Sequence, residues 1–154
     1  KWMDEIRIRR AEESDIEMIT KLLYEVHQVH SDVRPDLFQA GMKKYDEDEL
    51  RSILADGSRP VFVAERQGRV LGHVFCIERQ NTKVRTLYID DLCVEETARG
   101  SHIGRCLYEY VLEYARKCRY YNVTLNVWAD NTSAVRFYEK LGLKIQTIGM
   151  EQIL

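Results

Sequence analysis

Polar and apolar residues alternate with two different periods along this chain, and the two periods predict where its strands and helices lie. Residues 5–9 alternate one by one, as in a half-exposed strand. Apolar residues then recur at helical spacing behind a capping box of Ser14 and Glu17, which predicts a first helix to about residue 30. Pro35 and Gly41 interrupt that spacing, so residues 31–45 are predicted to form an irregular loop.

The middle of the chain is rich in β-forming residues. Asp46 and Glu49 are predicted to open a shorter helix, which stops at Gly57. Three strands follow, and the tight turn at residues 67–69 makes the first two a hairpin. These strands are predicted at residues 61–66, 70–78 and 84–94.

The last third returns to alternating helices and strands. A glycine-bearing loop at 99–104 leads into a long helix that ends near Cys118. A strand at 123–128 and a helix at 131–141, closed by Gly142, come next. Residues 143–154 are predicted to supply one or two final strands. Because hairpins precede a β-α-β unit, we expect a mixed sheet with helices packed on it.

Composition narrows the class of protein. The 154 residues are 45% hydrophobic and 31% charged, which is typical of one globular domain over residues 1–154. The net charge of −2, with both signs intermixed, gives no field that would attract nucleic acid or a membrane surface. Lys1 to Met3 look like an expression-derived remnant. Four widely spaced cysteines favour reduced thiols and a cytoplasmic protein.

The segment from Leu92 to Arg105 carries the most informative motif. A strand there runs into a glycine-containing turn that becomes a helix N-terminus, where free backbone N–H groups and the helix dipole favour an anion. Arg99 and Arg105 could add charge-assisted contacts to a phosphate. On backbone grounds alone, a plain turn with Gly100 at positive φ explains these residues equally well.

Two motifs together resemble the signatures of the GNAT superfamily of N-acetyltransferases. Leu92-Cys93-Val94 and the following residues 99–104 are similar to the strand and the loop Arg/Gln-x-x-Gly-x-Gly/Ala of that family. Residues 131–143 are similar to its second signature, Asn-x-x-Ala-x-x-Phe-Tyr-Glu-Lys-Leu-Gly-Phe. The chain looks like a small bacterial-type member, distantly like the spermidine/spermine N-acetyltransferases. The element order agrees along essentially the full chain.

This resemblance implies a fold and a cofactor. The fold would be a single α/β (mixed α+β) domain with about four helices and a mixed sheet of six to seven strands. The two central parallel strands of this sheet would separate in a V-shaped splay. The cofactor would be acetyl-coenzyme A, with its pantetheine arm in the splay. The cofactor-binding residues implied are Leu92, Cys93, Val94, Arg99, Gly100, Ser101, His102, Ile103, Gly104, Arg105, Asn126, Asn131, Ser133 and Tyr138.

One residue of the loop departs from the family pattern. His102 stands where the family usually has its middle glycine. If the backbone there needs a positive φ, the histidine carries strain that glycine would avoid. This departure keeps a second interpretation open, in which the domain is a non-catalytic acyl-CoA-binding or regulatory module.

The resemblance also implies two catalytic residues. Tyr138 matches the tyrosine that protonates the departing thiolate, although a core aromatic residue on a helix face would look the same. Asp90, in the Asp90-Asp91 pair, matches the carboxylate linked to deprotonating the amine through water. Because neighbouring strand residues face opposite sides, we expect only one of the two carboxylates to reach the cleft.

The acceptor is the least determined part of the site. The first helix and the loop after it border the acceptor in this family. His27 and His30 lie one helical turn apart and could bind a metal, but the sequence offers no third ligand, so no metal is expected. Candidate substrate contacts are Tyr24, His27, Arg34, Phe38, Tyr88 and Asp91. We therefore expect acetyl transfer to a primary amine, either a small cationic amine or a protein amine. A homodimer is also expected, with exchange of the final strand covering an exposed edge.

Overall fold

A mixed sheet of five strands organises the chain in the computed structural model, which describes residues 5–37, 44–100 and 102–154. The strands follow one another across the sheet in chain order. The first three neighbouring pairs are antiparallel and the last is parallel. The strands are β1 (Arg7–Arg10), β2 (Val61–Arg66), β3 (Arg69–Gln80), β4 (Arg85–Val94) and β5 (Asn122–Leu125).

The described residues form four α-helices. They are α1 (Ile16–Val33), α2 (Glu47–Ala55), α3 (Ile103–Lys117) and α4 (Thr132–Lys140). Of these, α1 and α3 pack directly on the sheet. The predicted start of α2 at Asp46 is confirmed, and the structure shows that Asp46 and Glu49 form a capping box there, with backbone-to-side-chain hydrogen bonds of 2.8 and 3.1 Å. Gly142 follows α4 at φ 100°, as a helix-terminating glycine does.

The start and end of α1 differ from the prediction. A 3₁₀ turn at Glu13–Asp15 precedes the helix, and its capping box uses Glu12 and Asp15 in place of Ser14 and Glu17. The reason is that Asp15 is buried and accepts two hydrogen bonds from Arg9, at 2.8 and 2.9 Å, which fixes the carboxylate at the cap. The helix also continues past residue 30 to Val33.

Apolar side chains cover both faces of the sheet. On one face Phe62, Val74 and Leu107 belong to a core that includes α3. On the other face Ile19 and Phe75 belong to a core that includes α1 and α2. Each fully buried side chain of this size contributes about 1.5–3 kcal/mol to folding, so burial on both faces stabilises the predicted mixed α/β layering, which is confirmed.

β4 and β5 separate partway along their length. Their parallel pairing ends at Ile89 and Leu125, whereas β4 continues to Val94. The strand predicted over residues 123–128 therefore stops three residues early, and Asn126 lies beyond it. The backbone of β4 from residue 90 onward has no β5 partner in the described sheet, which forms the V-shaped splay expected between these strands.

A β-bulge interrupts β4 at the start of the splay. Cys76 of β3 pairs with Ile89, while the preceding Phe75 pairs with Asp91, so Asp90 is an extra residue without a partner on β3. The bulge shifts the alternation of side chains along β4. Ile89 packs in the core that includes α3, whereas the thiol of Cys93 donates a weak hydrogen bond to the Leu22 carbonyl of α1 at 3.5 Å.

The final strands predicted over residues 143–154 are not formed. This segment has no strand assignment, so the sheet of the described chain has five strands where six to seven were expected. A strand needs a hydrogen-bonding partner, and the segment makes no ladder with the free edge of β5. The four cysteines are unpaired, as predicted. No helix in the described part of the chain has the length and apolar character of a membrane span.

Candidate active site

The glycine-bearing loop before α3 adopts a left-handed backbone on both sides of Ser101. Gly100 has a φ of 86°, and His102, the residue that caps α3, has a φ of 64° and a ψ of 14°. Ser101 itself lies outside the described residues. Backbone conformations of this kind at a helix N-terminus form anion-binding concavities. His102 thus adopts the positive φ for which the sequence predicted strain.

The loop has room and charge for a phosphate. No atom lies within 4 Å of the position that a Cβ on Gly100 would take, so the backbone there is open to approach. The exposed Arg99 donates from Nε to the Val94 carbonyl at 3.2 Å, which ties the loop to the end of β4. Arg105 is also exposed and lies 3.7 Å from Glu109. These residues fit the diphosphate of a coenzyme A thioester.

The loop is packed directly against α4. Gly104 lies so close to Phe137 that a Cβ at this glycine would stand 3.0 Å from the ring atom Cζ, and 3.8 Å from Cδ2 of Leu92. Ile103 is buried beside it. At the start of α4, the Asn131 side chain accepts hydrogen bonds from the Ala134 amide and the Ser133 hydroxyl, both at 3.3 Å.

Tyr138 projects from α4 towards the acidic pair on β4. Burial, together with the nearby Asp91, Tyr108 and Cys93, raises the pKa of the Tyr138 phenol. The phenol therefore remains protonated at neutral pH. A neutral phenol beside the splay is able to give a proton to a thiolate.

Both carboxylates of the acidic pair reach the same cation. The ammonium nitrogen of Lys44 lies 3.1 Å from Oδ2 of Asp90 and 3.2 Å from Oδ2 of Asp91. The expectation that only one carboxylate reaches this side of the strand is wrong, because it assumed regular alternation. The bulge at Asp90 removes that alternation.

Two further side chains complete this cluster. The Tyr45 hydroxyl donates to Oδ2 of Asp90 at 2.7 Å, and Arg59 donates to the Tyr45 oxygen at 3.0 Å. Sequence reasoning missed Lys44, Tyr45 and Arg59. The nearest of them is separated from Asp90 by more than thirty positions, and no local motif marks any of the three.

The two ionised groups of the cluster have displaced pKa values. Burial, reinforced by the charge of Asp90, raises the pKa of Asp91 to about 6 even though Lys44 acts in the opposite direction. Burial lowers the pKa of Lys44, but the charges of Asp91 and Asp90 outweigh it, and the net pKa is raised. At neutral pH the cluster therefore holds a charged Lys44 ammonium against the ionised Asp91.

These features coincide with a known family over most of the chain. The model of the acetyltransferase (GNAT) family matches residues 23–143, which include the loop, the splay, the acidic pair and α4. The chain belongs to the GNAT acetyltransferase family. The family resemblance and the fold predicted from the sequence are thereby confirmed.

Individual GNAT proteins resemble the chain to different extents. The peptidyl-lysine N-acetyltransferase YjaB of Escherichia coli is 31% identical over 114 residues, which cover 74% of this chain and 68% of that protein. The chloroplastic GCN5-related N-acetyltransferase 6 of Arabidopsis thaliana is 32% identical over 81 residues, but these represent only 28% of its length. The chain thus spans well under half of that relative.

A solved structure agrees over nearly the whole chain. A tetramutant of the BH1408 protein from Bacillus halodurans superposes with a TM-score of 0.89 at 27% sequence identity. The match covers 96% of this chain and 99% of that one. This match covers more of the chain than the family match of residues 23–143.

The predicted acceptor contacts of this GNAT domain are only partly assembled. The exposed Tyr24 lies on α1, and Tyr88 stacks under Arg79 at 3.6 Å on β4. Arg34 is held by Glu151 at 2.6 Å and lies over the ring of Trp128 at 5.2 Å. The side chain of His27 and all of Phe38 lie outside the described residues. Among the residues that are described, no group of three or more metal ligands occurs.

His73 is buried behind the acidic pair. Its side chain is completely inaccessible, and neither ring nitrogen has a hydrogen-bond partner in the described part of the structure. It contacts Phe75 edge-on, at 4.9 Å between ring centroids. Burial, with a smaller effect from Lys44, lowers its pKa to about 3, so the imidazole is neutral.

Proposed function

We propose that the chain is an N-acetyltransferase that moves an acetyl group from acetyl-coenzyme A to a primary amine by direct attack. The observation that carries this proposal is the ammonium of Lys44 held between Asp90 and Asp91. It is a primary alkylammonium seated beside the splay, at the position where an acceptor would have to lose a proton. The acceptor is accordingly a primary amine on a flexible aliphatic chain, such as a diamine or a lysine side chain.

The cofactor would be held by backbone and charge. Leu92, Cys93 and Val94 lie on the part of β4 that has no β5 partner and would line the pantetheine arm, and the loop from Gly100 to Arg105 would hold the diphosphate. Asn131 and Ser133 lie at the start of α4, where they stabilise its first turn. When bound, acetyl-coenzyme A supplies an activated acetyl thioester. The protein contributes orientation and proton transfer.

The acidic pair would remove the proton that the amine must lose. An alkylammonium is charged at neutral pH and cannot attack until it is deprotonated. Asp90, the base expected from the sequence, lies on the bulge and accepts from Tyr45, while Asp91 has the raised pKa that suits a proton acceptor near neutrality. We assign the base function to the two carboxylates acting together, with Lys44 as a resident cation that an acceptor displaces.

Tyr138 would supply the opposite proton. Its protonated phenol lies close enough to Asp91 for that carboxylate to raise its pKa. Proton donation to the departing sulfur would complete the transfer: the N–C bond forms, the C–S bond breaks, and the thiolate leaves as a thiol. A protein with Asp91 and Tyr138 in these positions has groups for both proton transfers, which favours a catalyst over the non-catalytic acyl-CoA-binding module.

An acceptor panel tests this function. Release of free coenzyme A thiol is measured with spermidine, putrescine, a lysine peptide and aniline, for the unaltered protein and for Tyr138→Phe. We expect turnover with at least one alkylamine, and a loss of at least about tenfold in kcat for Tyr138→Phe. Binding of acetyl-coenzyme A without turnover of any amine would support the regulatory module.

Two attributes remain part of the proposal. A cytoplasmic location fits the four unpaired cysteines. A homodimer fits the apolar side chains that the C-terminal segment leaves exposed. Neither attribute is required for the chemistry.

A further inference from the structure

The groups around Lys44 hold its ammonium in place. Besides its contacts with Oδ2 of Asp90 and of Asp91, the ammonium donates to the backbone carbonyl of Asp90 at 3.4 Å. It also lies 5.7 Å from the centroid of the Tyr45 ring. The Lys44 side chain is 32% exposed, whereas those of Asp90 and Asp91 are 15% and 4% exposed. A primary amine is therefore directed from solvent into a largely buried acidic site.

This acidic site lies where the splay between β4 and β5 begins. The parallel ladder ends at Ile89, so Asp90 and Asp91 are the first residues of β4 without a β5 partner. Asp91 also lies close enough to the Tyr138 phenol to raise its pKa. One chain thus brings together a primary amine, the two carboxylates proposed as the base and the phenol proposed as the acid.

We infer that Lys44 is a substrate of its own active site, and that its Nζ is acetylated within the same molecule when no external amine has displaced it. This inference rests on the proposed N-acetyltransferase function. The acidic pair takes a proton from the ammonium, the neutral nitrogen attacks the acetyl carbon, the N–C bond forms and the C–S bond breaks. The amide keeps one N–H. The other two protons leave the nitrogen, one replacing the proton that Tyr138 gives to sulfur and one passing to solvent.

Position, and not intrinsic reactivity, selects Lys44 over other lysines. Burial lowers the pKa of Lys44, but the charges of Asp91 and Asp90 outweigh it, so less of the amine is neutral and ready to attack without a base. Lys83, between β3 and β4, and Lys140, at the end of α4, are both exposed. Spontaneous acetylation therefore favours Lys83 and Lys140, whereas acetylation that uses the acidic pair favours Lys44.

Peptide mass mapping after incubation with acetyl-coenzyme A tests this inference. No acceptor amine is added, and fragment spectra distinguish Lys44 from its neighbour Lys43. We expect Lys44 to be acetylated at least about tenfold faster than Lys83 and Lys140. The rate constant should not change with protein concentration, because the reaction occurs within one molecule. Lys44→Arg keeps the charge but removes the amine, and should show no acetyl group at position 44.

The variant Asp90→Asn/Asp91→Asn separates catalysed acetylation from spontaneous acetylation. Loss of the two negative charges leaves more of the Lys44 amine neutral, so a spontaneous reaction should proceed as fast as before or faster. A reaction that needs the acidic pair should instead slow by at least about tenfold. Thermal unfolding of the variant checks that its fold is intact.

Three results would each overturn the inference. They are acetylation of Lys44 no faster than that of Lys83 and Lys140, an unchanged rate in the double variant, and a rate constant that rises with protein concentration. Thiol release with the acceptor panel separates this inference from the proposed function. Turnover of an alkylamine by a protein whose Lys44 stays unmodified rejects self-acetylation alone, whereas the absence of both reactions rejects both proposals.

Discussion

Gly104 of α3 and Phe137 of α4 are in contact, and this contact joins the two sequence signatures into one structural unit. A side chain at Gly104 has no room, since its Cβ would lie 3.0 Å from Cζ of Phe137. The residue after Phe137 is Tyr138, the proposed acid. The loop that would hold the diphosphate and the helix that carries the acid are therefore positioned against each other.

Gly104→Ala should destabilise the domain by about 1–3 kcal/mol, because the added methyl group overpacks the contact between α3 and α4. Chemical unfolding measures this difference. Gly57→Ala is the control, since nothing lies within 4 Å of its Cβ position, and its effect should stay within about 0.5 kcal/mol. Equal stability of the two variants would show that the contact tolerates a methyl group.

His102→Gly should stabilise the protein slightly. Left-handed backbone costs a non-glycine residue about 1–2 kcal/mol, while glycine loses about 0.5–1 kcal/mol of extra chain entropy on folding. Relief of strain is the larger effect, so thermal unfolding should shift upward. Gly100→Ala should shift it downward, because Gly100 has a φ of 86° with open space around it. A fall in stability for His102→Gly would mean that the imidazole makes a compensating contact.

His73→Leu should change how stability depends on pH. The folded protein keeps His73 neutral down to a pKa of about 3, whereas the unfolded chain protonates it near 6.5. Stability present above pH 6.5 is therefore lost as the pH falls, by up to about 1.4 kcal/mol per pH unit. The leucine variant lacks this proton uptake. Its free energy of unfolding should therefore rise relative to that of the unaltered protein as the pH falls from 6.5 to 4. Parallel unfolding curves at both pH values would contradict this account of His73.

The acid limb of the pH–rate profile should report on Asp91. Its pKa is raised to about 6, so kcat/KM should rise as the pH passes through that value. Asp91→Asn should abolish this limb. Asp90→Asn should move it to lower pH, because the charge of Asp90 helps to raise the pKa of its neighbour. An unaltered limb in Asp91→Asn would assign the titration to another group.

Much of this architecture follows from local sequence patterns. The start of α2 at Asp46, the hairpin turn at residues 67–69 and the glycine after α4 each depend on near neighbours, and each was predicted correctly. Strain at His102 was expected only if its backbone had a positive φ, and the structure gives this residue a φ of 64°.

The rest depends on contacts between distant parts of the chain. The bulge at Asp90 arises from the pairing register of β4 with β3. Regular strand alternation had excluded the observed arrangement, in which Asp90 and Asp91 contact the same cation. Lys44 reaches Asp90 from 46 residues away. The one or two strands predicted over residues 143–154 were not formed, because β-forming residues make a strand only where a partner edge is paired with them.

The most direct test compares an alkylamine with an arylamine. The alkylamine must lose a proton at neutral pH, whereas aniline is already neutral. We predict that Asp90→Asn/Asp91→Asn lowers kcat/KM for the fastest alkylamine of the panel by at least about a hundredfold and for aniline by less than about tenfold. Thermal unfolding of the variant checks that its fold is intact. Equal losses for the two amines, or no loss for either, would contradict the assignment of the acidic pair as the base.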